Sequence, residues 1–90
     1  SLKLYVIVDQ LAVRGFAGPA GAVITHLREG SEVKPTGRIS ANANRIELRG
    51  REFDEHWIGA QLADGRTGWI FGGGLADGDQ RAFTTARPFW

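Results

Sequence analysis

His26, His56 and the run Asp54-Glu55-His56 are the residues whose types could hold a metal or move a proton. Their spacing argues against both. The two histidines lie far apart in the chain, and each reads as a surface or half-buried strand residue. Adjacent strand residues point to opposite faces, so Asp54, Glu55 and His56 form a cluster only along the sequence. No Ser-His-Asp spacing is present, and the glycine-rich stretch Gly15 to Gly21 lacks the Lys and Ser/Thr of a phosphate loop. The absence of cysteine excludes disulfides, thiolate zinc sites and a cysteine nucleophile. The chain is therefore expected not to be an enzyme and to carry no cofactor or metal. Arg45, Arg49 and Arg51 form a local basic cluster, but Glu47, Glu52, Asp54 and Glu55 interleave with it or follow it. With a net charge of +1 this reads as a solvated mixed-charge strand or loop, and no nucleic-acid partner is expected.

The scaffold for these residues must be small. Ninety residues and 9.8 kDa fit one domain, which at this size buries only roughly 60–65% of its unfolded surface. Thirteen glycines argue against a helical bundle, because each costs about 0.8–1 kcal/mol against alanine in a helix interior. Short strands with tight turns tolerate them. No apolar run approaches the ~18 residues of a membrane span, so membrane insertion is not expected. The chain begins with Ser1 and contains no methionine, which reads as a piece of a longer protein.

Strand signals recur along the chain. Leu2 to Val8 is rich in β-formers, and Leu11-Ala12-Val13-Arg14 alternates apolar residues on one face. Gly15 to Gly21, with Pro19 inside it, reads as a loop. Ala22 to Leu27 resumes a strand, Gly30-Ser31 marks a turn, and Pro35 is expected to limit the strand begun by Glu32-Val33-Lys34. Ile39 to Asn44 shows no period and reads as an exposed loop; Arg45 to Gly50 alternates like a short strand. Glu55 to Leu62 and Arg66 to Phe71 flank Asp64-Gly65, a pair suited to the positive φ angles of a tight hairpin. Gly72-Gly73-Gly74-Leu75 is expected to form a single helical turn. Residues 1–76 then make the domain and 77–90 a tail or linker. Phe83, Pro88, Phe89 and Trp90 are too apolar for a freely solvated tail, so this segment is expected either to pack back on the domain or to begin a further element.

Leu11-Ala12-Val13-Arg14, followed by Val23-Ile24, Leu27, Gly30 and Val33, resembles the opening of bacterial SH3 domains, where "LNVR" precedes a Gly/Pro-rich loop and a further strand. Trp57 to Ile70 resembles the tryptophan hairpin of the same family, with Trp57, Gly65, Gly68 and Trp69 at family spacing. Together the two matches cover most of residues 11 to 75. Ala12 replaces the usual polar residue, Pro19 falls two positions late, Thr36 to Glu55 is longer than the family minimum, and Gly74 stands where most members carry an aromatic. The resemblance implies an all-β, SH3-like barrel of five to six short antiparallel strands with one helical turn near the C-terminus.

It also implies a non-catalytic binding module of a larger bacterial protein, located in the cell envelope, whose partner is a cell-wall peptide or a protein. In such barrels the ligand groove lies between the first long loop and the loop before the tryptophan hairpin. Transferred by position, its residues are Phe16, Trp57 and Phe71, with Asp54 and Glu55 supplying charge from the neighbouring loop. Trp57 competes for a role as a core plug, and Trp69 is expected to be buried. Polyproline recognition is disfavoured, because Gly15 to Gly21 carries no acid and Phe71 and Gly74 replace the proline and tyrosine that mode uses. The second reading is an architectural or protein-interaction domain that packs against a neighbouring domain or a second copy, with the aromatic tail as an internal ligand.

Overall fold

The computed structural model describes residues 3–77. Seven strands form one curled antiparallel sheet: β1 (Leu4–Val6), β2 (Leu11–Arg14), β3 (Val23–Leu27), β4 (Glu32–Leu48), β5 (Arg51–Gln61), β6 (Thr67–Phe71) and β7 (Leu75–Ala76). Their order in the sheet is β3-β2-β6-β5-β4-β1-β7. A single turn of 3-10 helix, Gly72–Gly74, links β6 to β7. The all-β barrel-like architecture and the helical turn match the expectation. The strands number seven because Leu75 and Ala76, just past the turn, pair with Val6 and Tyr5.

Alternation along the strands sets the core. Leu4 and Val6 of β1, Leu11 and Val13 of β2, Ile58 of β5 and Ile70 of β6 are all at most 5% exposed and point to the same side of the sheet. Curling the sheet buries that side against itself, the solution open to a chain too short for a second layer.

Ile39 to Asn44 is not a loop. It lies within β4, paired to β5 through Ile39↔Ile58, Ala43↔His56 and Asn44↔Glu55. Register shifts fall between Pro35 and Ile39 and between Ile39 and Ala43. Each bulge resets the alternation, so the sequence shows no period there although the strand continues. Pro35 does not end the strand either. It pairs with Ala60 beside the first bulge, while β1 reaches β4 only at Glu32 and Val33, so no ladder hydrogen bond is demanded of the missing N–H.

β4 and β5 meet at Arg49-Gly50, both at positive φ (54° and 74°), between the paired Leu48 and Arg51. That left-handed pair has the twist of a two-residue hairpin. The Asp64-Gly65 hairpin forms where the sequence places it, by a different device. Only Gly65 has positive φ, at 92°, and the Asp64 carboxylate instead accepts the Arg66 backbone N–H at 3.0 Å and the Arg66 Nε–H at 2.7 Å.

Candidate functional site

The tryptophan hairpin assembles the site through its register. Trp57 pairs with Phe71, Gly59 with Trp69, and between them Ile58 pairs with Ile70. Since Ile58 and Ile70 face the core, Trp57, Phe71 and Trp69 lie on the other face of the sheet. Arg14 pairs with Trp69, and Ala12 with His26, so β2 and β3 bring Ala12, Arg14 and His26 to that same face.

Trp57 and Phe71 meet edge to face, ring centroids 5.6 Å apart, a geometry that adds about 0.5–1.5 kcal/mol beyond burial. Each is 3% exposed. The indole Nε1–H donates to Asn44 Oδ1 at 2.8 Å, and the Trp57 backbone N–H donates to Ser40 Oγ at 2.8 Å. His56 Nδ1 lies 2.7 Å from the Ser40 carbonyl, which can only accept, so the proton sits on Nδ1. β4, folding back along β5, thus pins the tryptophan by its polar atoms.

The two rings floor a groove of about 250 Å³. Ala12 continues the floor, Ile46 and Leu48 of β4 form one wall, Arg14 and His26 the other, and the Val8-Asp9-Gln10 turn closes one end. Arg14 is singular here. One Nη–H donates to the Gly21 carbonyl at 2.8 Å, its buried Nε finds no acceptor, and it joins no ion pair among the described residues. An unmatched buried donor costs about 1–3 kcal/mol.

The other expected site residues fall elsewhere. Phe16 is 56% exposed on the β2–β3 loop and does not line this groove. Asp54 and Glu55 sit on strand β5, not on a loop, because the β4–β5 pairing runs on past them to the Arg49-Gly50 turn. Asp54 is exposed and lies 3.9 Å from Arg45, a surface ion pair of little energetic weight. Arg49 pairs with Glu29 at 2.8 Å, and Arg51 lies over Phe53. Trp69 is half-buried rather than buried: it lies on the face of the sheet away from the core, with the Arg38 guanidinium 5.1 Å from its ring centroid. A cleft does separate the first loop from the bulged part of β4, lined by Ala17, Gly18 and Pro19 and by Ser40, Ala41, Asn42 and Asn44, but among the described residues no aromatic side chain lines it. Gly74 has a local cause: a Cβ there would come within 2.7 Å of Leu11 Cδ1.

Arg14, Ser40, Asn44, Ile46 and Leu48 were not marked as site residues by the sequence. Ile46 and Leu48 carried a signal in their alternation with Arg45 and Glu47; the bulges hid Ser40 and Asn44. Among the described residues no group of three or more His, Asp or Glu is placed to hold a metal ion, and no described helix is long and apolar enough to cross a membrane. Comparison with known family models, with curated proteins and with solved structures finds no match.

Proposed function

We propose that the chain is a non-catalytic binding module that holds a short peptide segment in the groove over Trp57 and Phe71. The observation that carries this reading is the groove itself: a concave, mostly apolar surface with two rigid aromatic rings at its base and three charged or titratable side chains at its rim. Catalysis is not supported. His26 and Asp9 both border the groove, yet among the described residues no side-chain hydrogen bond orients either of them as a base. The resemblance of the Leu11–Arg14 and Trp57 to Ile70 segments to bacterial SH3 domains supports a cell-wall peptide as the ligand and the cell envelope as the setting, as part of a larger protein.

The test is retention on purified cell-wall material. The chain should be retained, and Ala12→Glu, which fills and charges the groove floor from a half-buried position, should abolish retention while leaving the circular dichroism spectrum intact. Phe16→Ala should bind normally. Retention that survives Ala12→Glu, or that disappears with Phe16→Ala, contradicts the assignment of the site.

A second reading has its own observation. β3 is an edge strand, and Val23 and Ile24 on it are 43% and 39% exposed, as is Phe16, at 56%, on the loop that precedes it. Such an edge is a template for strand pairing with a neighbouring domain or a second copy. Ile24→Lys should then raise the monomer fraction in sedimentation without altering the groove; a chain that is already monomeric at high concentration excludes the self-pairing form. The tail suggested as an internal ligand lies outside the described residues.

A further inference from the structure

The charges around the groove are arranged by position. Asp9 lies at the turn before β2 and Arg14 at the far end of β2, so the four-residue strand separates them by roughly 10 Å or more at ~3.3 Å per residue. His26 stands on the Arg14 side, paired with Ala12. The Arg14 guanidinium is held in place by the Gly21 carbonyl and faces no carboxylate among the described residues. A fixed, unneutralised guanidinium beside an apolar floor is complementary to a carboxylate next to an apolar side chain. The Val8-Asp9-Gln10 turn closes one end of the groove, which has a volume of about 250 Å³.

We infer that the groove takes the C-terminal residue of a peptide, with its free carboxylate on Arg14 and its apolar side chain over Trp57 and Phe71. Asp9 repels a carboxylate from the opposite end and so sets the direction of docking. This rests on the groove being the ligand site, as proposed above, and adds the terminal group that it recognises.

The experiment titrates the full chain, labelled with nitrogen-15, with N-acetylglycylphenylalanine and separately with the carboxamide of the same dipeptide. The free acid should shift the Trp57 indole N–H resonance and the Ala12 amide, and the carboxamide should bind about tenfold or more weakly, as expected for loss of one charge-assisted contact. In Arg14→Gln the free acid should fall to the level of the carboxamide. Equal binding of acid and carboxamide overturns the carboxylate inference while leaving the groove as the site. Shifts that avoid Trp57 and Ala12 with both compounds overturn the inference together with the groove assignment. Should Arg14→Gln not fold, the comparison of the two compounds on the native chain still decides.

Discussion

At the scale of single residues, the site depends on close approach and on satisfied polar atoms. Gly68 was legible only as a turn glycine, yet it is a residue of β6 whose absent Cβ leaves room for β2: an added carbon would sit 2.6 Å from Val13 Cγ1 and 3.1 Å from the Arg14 carbonyl oxygen. Gly68→Ala should therefore destabilise the fold by about 1–3 kcal/mol, read from the urea midpoint. Asn44→Ala leaves the Trp57 indole N–H without its acceptor and should cost about 1–3 kcal/mol, accompanied by a change in tryptophan fluorescence. Asp64 gives a pH dependence. The Arg66 backbone N–H, foremost, and the Arg66 side chain hold its carboxyl below the ordinary range. A depressed folded-state value means that its contribution is whole above the unfolded pKa of about 3.9 and vanishes as pH falls through the lower folded value. The native chain should thus lose stability below about pH 4 more steeply than Asp64→Asn, as measured by thermal melts across pH 2–5; parallel curves would show that the turn contact carries no weight.

At the scale of elements, legibility followed the strength of local chemistry. The strand Leu11–Arg14 and the Trp57 to Phe71 hairpin could be placed because apolar alternation and Asp64-Gly65 agree there. The β4–β5 arm could not. Its tip uses Arg49 at φ 54°, a conformation that arginine does not advertise, and two register shifts erase the period that would have marked the strand from Ile39 to Asn44. The consequence reaches the site, because Asn44, Ile46 and Leu48 line or lock the groove only through that arm. Gly50→Ala places a Cβ at φ 74° and should cost about 1–2 kcal/mol. It should also loosen the groove wall, visible as faster amide exchange at Ile46 and Leu48 than at Val13; uniform exchange rates would argue that the arm is not a separate unit.

At the scale of the whole molecule, the first and last described strands pair at one end of the curled sheet. Leu75 is fully buried and sits opposite Val6, which packs the edge strand β7 against the core. Asp77, just beyond the strand, is also buried. A chain ending after Asp77 should keep a dispersed amide spectrum, whereas one ending after Gly74 should not fold, because losing a buried leucine alone costs about 2–5 kcal/mol against a total stability on the order of 5 kcal/mol for this length. Fold class was readable at this scale, since glycine placement and strand spacing admit few alternatives to a bent antiparallel sheet. Site position was not, since it arises from which face each aromatic takes once β4 and β5 are paired. If the face bearing Trp57 and Phe71 is the binding surface, the amide and indole spectrum of the chain titrated with soluble cell-wall peptide will report it. The account predicts shifts at the Trp57 indole N–H, Ala12 and Leu48 that Ala12→Glu removes; shifts confined to Val23–Leu27 and Phe16, with the Trp57 resonance unmoved, would contradict it.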